Sequence, residues 1–155
     1  MDIQIKHAGP GDWGVIQKLN SEVFEHDSPY DATIDLSYPA SEEGIKYYRE
    51  TVGGNEYISF IAYHSDVPVG YIVGFEKKYS WRKGKFMEID NMGVSPSYRS
   101  RGVGKLLVDK IKQTAKGMGF EHLRVCAYVA NNRAISFYQQ NGFSQMDTSL
   151  ELSLI

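Results

Sequence analysis

The chain has 155 residues, 42% of them hydrophobic, and its 17 basic and 19 acidic side chains give a net charge of −2. This length fits one domain, residues 1–155, that buries a core without metal or disulfide support. The balanced charge argues against a nucleic-acid binder, which relies on many basic contacts. Cys126 is the single cysteine, and we find no signal-peptide pattern and no apolar run of membrane-spanning length. We therefore predict a cytoplasmic protein with a small-molecule partner.

The first half of the chain predicts one strand followed by two helices. Residues 3–8 alternate apolar and polar side chains, and residues 9–11, Gly-Pro-Gly, then break the chain. A helix follows, with one apolar face formed by Val15, Ile16, Leu19 and Val23. Residues 27–40 are rich in proline and aspartate and predict a long loop. Ser41 is expected to cap a second helix that ends at Gly53 and Gly54.

The second half predicts mainly strands, over residues 57–63, 69–75, 86–94 and 123–129 and as a final pair within 143–154. Two helices interrupt them, one beginning at Val103 and one ending at Gln140. The strands that flank the first of these helices should be parallel, joined by a right-handed crossover, while the hairpins make the rest antiparallel. We therefore predict an α/β (α+β) fold with a mixed, mostly antiparallel sheet of six to seven strands and four flanking helices.

The run Tyr-Arg-Ser-Arg-Gly-Val-Gly-Lys at residues 98–105 joins a predicted strand to a predicted helix. Gly102 and Gly104 allow the main chain to approach a ligand closely, and the free amides of the opening helical turn favour an anion. Cationic side chains add full charge, at Arg99, Arg101 and Lys105. The run therefore predicts a diphosphate site, or, on the structural alternative, a basic surface turn.

Two other glycine-loop motifs do not fit this run. A dinucleotide-binding fingerprint requires a third glycine where Leu107 stands. A Walker loop requires Ser or Thr after Gly-Lys, but Leu106 follows Lys105. Neither nucleotide-binding motif is therefore predicted.

In this context the chain resembles the GNAT superfamily of acyl-CoA-dependent N-acetyltransferases over nearly its whole length. Residues 99–104 match the superfamily's Arg/Gln-x-x-Gly-x-Gly/Ala motif, after a strand that ends in the run Met-Gly-Val-Ser-Pro at residues 92–96. Residues 131–138, followed by Asn-Gly-Phe at 141–143, resemble its second signature. The resemblance implies the GNAT fold, acetyl-CoA as cosubstrate and no metal.

The resemblance also implies which residues bind the cofactor. Main-chain groups of the strand at Met92, Gly93 and Val94 would pair with the pantetheine arm. Asn131 would contact the cofactor arm. The pyrophosphate would be held by the residues of the glycine run: Arg99, Ser100, Arg101, Gly102, Val103, Gly104 and Lys105. The Met92 N–H would face the thioester carbonyl and stabilise the developing oxyanion.

An ammonium acceptor must lose a proton before its nitrogen can attack, so a base or a positioned water is required. Glu88 is the first candidate, because it lies four residues before Met92, where some members of the superfamily carry a glutamate base. Strand alternation is expected to place Glu88, Asp90 and Met92 on one face, so Asp90 could share or take this role. The alternatives are a solvated strand face, or an ion pair with the basic turn at residues 82–85.

Tyr138 occupies the position at which the superfamily commonly protonates the departing thiolate, so the resemblance makes it the general acid and a cofactor contact. Its structural alternative is core packing of the ring. Asn131 is in addition expected to cap the last helix.

Acceptor recognition is predicted for the loop after the first helix, because in the superfamily this segment borders the acceptor site. Asp27, Tyr30 and Asp31, together with Asp90, suit a cationic amine. We expect a small polyamine, amino sugar or amino-acid-like amine; the alternatives are a protein N-terminus or lysine, and an acyl-CoA sensor without catalysis. A homodimer is a further expectation, through the apolar residues Leu150, Leu152, Leu154 and Ile155.

Overall fold

The computed structural model describes all 155 residues and contains five strands and four α-helices. The strands are β1 Gln4–His7, β2 Tyr57–His64, β3 Val67–Lys77, β4 Phe86–Val94 and β5 His122–Val125. The helices are α1 Trp13–Asp27, α2 Glu42–Gly53, α3 Val103–Gly117 and α4 Asn132–Gln140. No helix is both long enough and apolar enough to cross a membrane.

The five strands form one sheet in the order β1-β2-β3-β4-β5. All neighbours are antiparallel except β4 and β5, which are parallel and are connected through α3. The predicted mixed sheet, its parallel pair and its four helices are therefore confirmed.

The strand count is five, not the predicted six to seven, because residues 143–155 form no strand. Their alternating pattern is that of a half-buried strand, but a strand needs a neighbouring edge for its main-chain groups, and within this chain the segment pairs with none. The last predicted single strand is also shorter than expected and ends at Val125.

Helices cover both faces of the sheet and divide the core into two layers. One layer packs α3 against the sheet, with Ile72, Met87, Leu107 and Ile111 at its centre. The other packs α1 and α2 on the opposite face, with Ile16, Tyr48, Tyr71 and Val73 at its centre. In this second layer Asn20 donates to the Tyr71 hydroxyl at 2.7 Å and accepts from the Tyr48 hydroxyl at 2.6 Å. The side chains of Asn20, Tyr48 and Tyr71 are thereby hydrogen-bonded to one another, as burial requires.

A β-bulge interrupts β4 at Asp90. In the β3–β4 register Val73 faces Asn91 and Gly74 faces Ile89, which leaves Asp90 as the extra residue. The β4–β5 ladder ends at the pair Ile89 and Val125, immediately before the bulge. Beyond this point the two strands no longer pair, and a cleft opens between them.

The bulge also corrects the prediction that Glu88, Asp90 and Met92 share one face. Asp90 and Asn91 both reach Tyr47 on α2, whereas Met92 packs against the α3 layer. One extra residue shifts every later side chain in a strand to the opposite face, so Met92 does not follow the alternation from Glu88.

Candidate active site

The cleft beside the bulge has a volume of about 1140 Å³, slightly above the usual range of roughly 300–1,000 Å³ for small-molecule sites. Its walls are the end of β4, the end of α1, residues 99–105, residues 125–128 at and beyond the end of β5, and α4. Five separate parts of the chain therefore meet here, including both segments in which the sequence analysis found motifs.

Backbone geometry explains the glycine loop at the start of α3. Gly102 precedes the helix in a left-handed conformation with φ of 86°, and Ser100 also has a positive φ of 59°. Gly102 adopts this conformation without steric cost, and the turn brings the first amides of α3 to the cleft. A Cβ on Gly104 would lie 3.1 Å from the Phe137 ring, so this glycine lets α4 pack closely against α3.

Most of the predicted cofactor residues line the cleft: Met92, Gly93, Val94, Arg99, Ser100, Gly102, Gly104, Lys105, Asn131 and Tyr138. Two do not. The Val103 side chain is buried in the α3 layer, and the Arg101 guanidinium lies 5.9 Å from the centre of the Tyr98 ring. Only the main-chain groups of these two residues are therefore available to a ligand in the cleft.

Arg99 lies in the cleft with its guanidinium fixed by two neighbours. Its Nε donates to the Val94 carbonyl at 2.9 Å, and its Nη1 lies 3.2 Å from Nδ1 of His26. Burial, and then the nearby charge of Arg133, lower the pKa of Arg99. A cation that is partly desolvated and faces another cation is suited to bind an anion. The anion would offset both the desolvation of Arg99 and its repulsion by Arg133.

Arg133 is a cleft cation that the sequence analysis did not single out. It lies in the first turn of α4, and its Nη2 donates to the Ser100 hydroxyl at 3.2 Å. Its only signal in the sequence was its place within the second signature. Together with Arg99 and the free α3 amides, it gives a donor set that fits the diphosphate of an acyl-CoA.

Tyr138 and Asn131 line the cleft on the side formed by α4. The Tyr138 ring packs between Phe137 and Phe143, at 5.2 and 5.4 Å between ring centres, while its hydroxyl has no protein partner. Burial, with a smaller effect of the Asp27 carboxylate, raises the pKa of Tyr138, so the phenol keeps its proton at neutral pH. Asn131 caps α4, as predicted, through its Oδ1 and the Ala134 N–H at 3.1 Å.

A three-residue network holds the bulge. The Tyr47 hydroxyl donates to the Asp90 carboxylate and accepts from the Asn91 side-chain amide. Burial, together with Asp90, raises the pKa of Tyr47 far above its usual value, so Tyr47 remains a donor. Asp90 and Asn91 both line the cleft. Tyr47 lies 43 positions before Asp90 in the chain, so no local pattern links it to the bulge.

Glu88 does not line the cleft. Its Oε2 lies 3.9 Å from Nε of Arg124 on β5, and Arg124 also donates to Asp147 at 3.1 Å. Glu88 therefore belongs to an ion-paired group, in line with the alternative interpretation of the sequence. Its partner, however, is Arg124 and not the basic turn at residues 82–85.

The predicted acceptor residues fall into two groups. Asp27 lines the cleft, and its burial raises its pKa. Tyr30 and Asp31 instead contact Tyr128, which lines the cleft: the Tyr128 hydroxyl donates to Asp31 at 3.0 Å, and the Tyr30 ring stacks on the Tyr128 ring at 6.2 Å. Hydrogen bonds, first from Thr33, lower the pKa of Asp31. These contacts join the loop after α1 to the loop after β5 at the cleft.

Comparison with known proteins agrees with this geometry. A family model described as the acetyltransferase (GNAT) family matches residues 20–143. Thialysine N-epsilon-acetyltransferase of Bos taurus is 27% identical over 146 residues, which are 90% of this chain and 83% of that protein.

Solved structures share the fold. A mutant of the BH1408 protein from Bacillus halodurans superposes with a TM-score of 0.87 at 19% identity, over 98% of this chain and 99% of that one. An aminoglycoside N-acetyltransferase in complex with CoA gives a TM-score of 0.77 at 15% identity, over 98% and 94% of the two chains. The chain belongs to the acetyltransferase (GNAT) family and is an N-acetyltransferase that uses acetyl-CoA.

Proposed function

We propose that the acetyl acceptor is a small cationic primary amine, bound in the same cleft as the cofactor. The observation that carries this proposal is that Asp27 and Asp90 both line the cleft that also contains the cationic Arg99 and Arg133. One cleft thus offers cations for a diphosphate and carboxylates for an ammonium group. The similarity to an enzyme named for thialysine, an amino-acid-like amine, supports the proposal.

Acetyl-CoA, when bound, supplies an acetyl group activated as a thioester. In this proposal the amides of residues 101–105 hold its diphosphate, with Arg99 and Arg133. The edge of β4 after Ile89 has no β5 partner, so main-chain groups from Met92 to Val94 are available to the pantetheine arm. The Met92 N–H is the proposed donor to the oxyanion.

Asp90 is the proposed base, acting directly or through a water molecule. Its carboxylate lines the cleft, and the Tyr47 hydroxyl occupies one of its oxygens, which leaves the other free to accept a proton from the acceptor ammonium. Glu88, the first candidate from the sequence, lies outside the cleft lining and faces Arg124. It would therefore act only through intervening groups.

Tyr138 is the proposed general acid. Its hydroxyl is free of protein partners and keeps its proton at neutral pH, so Oη can donate to the sulfur as the thioester bond breaks. The packed rings on either side restrict its orientation.

An amine panel tests the acceptor class. Release of free thiol from acetyl-CoA is measured with polyamines, amino sugars, lysine-like amines and peptides with free N-termini, and products are identified by mass. We expect the highest kcat/KM for a small amine with more than one positive charge. A preference for peptides would instead favour the protein N-terminal or lysine acceptor, and tight CoA binding without thiol release for any amine would favour a sensor.

Substitution of Asp27 tests the electrostatic part of the proposal. Asp27→Asn should raise the KM for the best amine while the KM for acetyl-CoA changes little. Asp66→Asn is the matched control, because Asp66 lies in the β2–β3 turn outside the cleft, at a positive φ that asparagine tolerates. An unchanged amine KM in the Asp27 variant would remove the proposed role of this carboxylate.

A further inference from the structure

Residues 77–85, at the end of β3 and in its connection to β4, concentrate positive charge. Their sequence is Lys-Lys-Tyr-Ser-Trp-Arg-Lys-Gly-Lys, and we call this segment the β3–β4 tip. Five of its nine residues are basic and none is acidic, while Glu76 and Glu88 are the nearest acidic residues along the chain. The rest of the chain has 12 basic and 19 acidic side chains, a net charge of −7. The molecule is therefore divided into a strongly basic tip and an acidic remainder.

The positive charge of the tip is not neutralised within the chain. None of its five cations belongs to an ion pair of the structure. Lys78 and Lys83 are exposed, and Lys85 donates to a main-chain carbonyl, that of Met118, at 3.3 Å. Glu121 contacts the tip through the main-chain N–H of Lys85, at 3.1 Å, and not through a side-chain cation. The charge of the tip is therefore available to an anionic partner.

An exposed tryptophan stands among these cations. Trp81 is 78% exposed, more than any other Trp, Tyr or Phe of the chain, and its ring contacts the Tyr79 ring at 5.3 Å between ring centres. An indole combines an apolar ring with a polar N–H, and tryptophan is for this reason enriched where a bilayer meets water. The tip thus combines cations and an indole, the two side-chain types that favour the headgroup region of a bilayer.

Stacked side chains fix the base of the tip to the sheet. The Arg82 guanidinium lies 4.2 Å from the centre of the Phe86 ring and 5.3 Å from that of Tyr79. Phe86 is buried at the start of β4 and stacks on His122 of β5 at 4.5 Å. These contacts restrict the orientation of Arg82, whose planar set of donors is suited to phosphate oxygens. The tip therefore presents Trp81 and its exposed lysines from a fixed base.

The size of the tip favours a lipid surface over a folded protein as the partner. A stable protein interface takes roughly 20–30 residues a side, whereas the tip has nine. Clusters of about 4–8 basic residues are enough to recognise anionic lipids, and the five cations of the tip lie within this range. Single-stranded nucleic acid is typically bound along a basic groove with several stacking rings, whereas Trp81 is the one exposed ring of the tip.

We propose that the β3–β4 tip docks on the surface of a bilayer that contains anionic phospholipids. Its lysines and arginine lie among the headgroup phosphates and carboxylates, and the Trp81 indole lies at the boundary between headgroups and acyl chains. The acidic remainder of the chain is repelled by the same surface, so docking has a preferred orientation. None of residues 77–85 lines the cleft described above. The proposal is therefore independent of the proposed function.

Sedimentation with vesicles tests the docking of the unmodified protein. One set of vesicles contains equal parts of phosphatidylserine and phosphatidylcholine, and the other contains phosphatidylcholine alone. We expect the protein to sediment with the first set and to remain in solution with the second. Raising the salt from about 0.1 M to about 1 M shortens the Debye length from about 10 Å to about 3 Å and should release the protein. Failure to sediment with the anionic vesicles would overturn the proposal.

Paired lysine substitutions locate the docking surface. Lys78→Gln combined with Lys83→Gln should raise the lipid concentration for half-maximal binding about 25-fold, at about fivefold for each charge. Lys18→Gln combined with Lys46→Gln is the matched control, because these two lysines are also exposed but lie on α1 and α2. Both double variants should keep the acetyl-transfer kcat/KM of the parent without vesicles, which shows that they are folded. Equal lipid binding by the two double variants would overturn the proposal.

Tryptophan fluorescence tests the depth of docking. Trp13→Phe leaves Trp81 as the single tryptophan, and this variant should bind anionic vesicles as the parent does. Its emission maximum should shift to shorter wavelength when anionic vesicles are added, because the indole leaves water. An unchanged emission maximum in protein that sediments with the vesicles would contradict the proposed position of Trp81.

Two soluble polyanions distinguish the lipid surface from the other partners. Poly-glutamate represents an acidic protein, and a single-stranded oligonucleotide of deoxythymidine represents a nucleic acid. Each is added at the same concentration of negative charge as the phosphatidylserine. We expect the protein to stay on the vesicles in both cases. Displacement by either polymer would identify that polymer class as the preferred partner and would overturn the lipid proposal.

Discussion

The hydroxyl of Tyr47 on α2 donates a hydrogen bond to the carboxylate of Asp90, the bulged residue of β4. The same hydroxyl accepts from Asn91, so one half-buried phenol joins two consecutive residues of the bulge. The bulge puts both side chains on the face of the sheet that α2 covers, at the point where β4 and β5 separate. Tyr47 therefore orients the carboxylate that we propose as the base.

Removal of this phenol tests the positioning role of Tyr47. A hydrogen bond to a charged group contributes about 1.5–3 kcal/mol, so Tyr47→Phe should lower kcat about tenfold or more if the orientation of Asp90 matters. The KM for acetyl-CoA should change little. Tyr57→Phe is the control, because the Tyr57 ring packs on Tyr47 but its hydroxyl is in no hydrogen bond. Equal kcat values for both variants and the parent would contradict the role.

The choice of base is tested by comparing two isosteric variants. Asp90→Asn should lower kcat by about a hundredfold or more, as expected for the loss of a general base. Glu88→Gln should have a small effect on kcat, because it disrupts only a partly exposed pair with Arg124 at 3.9 Å, which contributes about 1 kcal/mol or less to stability. Steady-state kinetics and thermal unfolding of both proteins provide the readouts. The reverse order of the kcat losses would restore Glu88 as the base.

The role of Tyr138 is tested by separating binding from turnover. Tyr138→Phe should lower kcat roughly a hundredfold while the Kd for CoA, measured by calorimetry, stays within about twofold. Because burial raises its pKa, the phenol remains protonated well above neutral pH, and no alkaline fall in kcat due to Tyr138 should occur between pH 7 and 9. An unchanged kcat in the variant would show that the ring only packs.

Local signals in the sequence were sufficient for most of the fold. Ser41 caps α2 by accepting from the Gly44 N–H, and Asn131 caps α4, because capping depends on residues only three positions away. The bulge at Asp90 had only a weak signal, since no glycine or proline flanks Asp90 in β4 and the glycine at the register shift, Gly74, lies on the partner strand. The contact with Tyr47 spans 43 positions, so no local pattern records it.

The segment 144–155 shows a different limit of sequence interpretation. Its alternation predicts a strand, but the structure shows none there, because a strand also requires a neighbouring edge and alternation alone does not record whether one is available. Arg133 shows a similar limit. Arg133 can bind an anion in the cleft only because α4 brings it to Ser100, and a helical pattern alone does not reveal that contact.

Three arginines near the glycine loop give a test of the cofactor site. Arg99→Gln and Arg133→Gln should each raise the Kd for CoA about tenfold, since each removes a charge-assisted donor from the cleft. Arg101→Gln is the matched control, because its guanidinium lies against Tyr98 and outside the cleft lining. The two cleft variants should also weaken the dependence of the Kd on salt. An equal increase of the Kd in all three variants would indicate that the general positive charge of the region attracts CoA, and not specific contacts of Arg99 and Arg133.

Stability at alkaline pH should depend on the buried tyrosines of the second core layer. Burial raises the pKa of Tyr71 and of Tyr48 above the usual value of about 10. The folded state therefore retains phenol protons that the unfolded chain releases above about pH 10, so the unfolded state binds fewer protons there and the free energy of unfolding falls as the pH rises.

Urea unfolding at pH 8, 9.5 and 10.5 measures this slope. Tyr71→Phe should be less stable at pH 8, because Asn20 loses a hydrogen-bond partner. Its free energy of unfolding should nevertheless fall less than that of the parent between pH 9.5 and 10.5. Tyr30→Phe, which removes an exposed phenol, serves as the control. A slope in Tyr71→Phe equal to that of the parent would show that the Tyr71 proton makes no contribution to the alkaline loss.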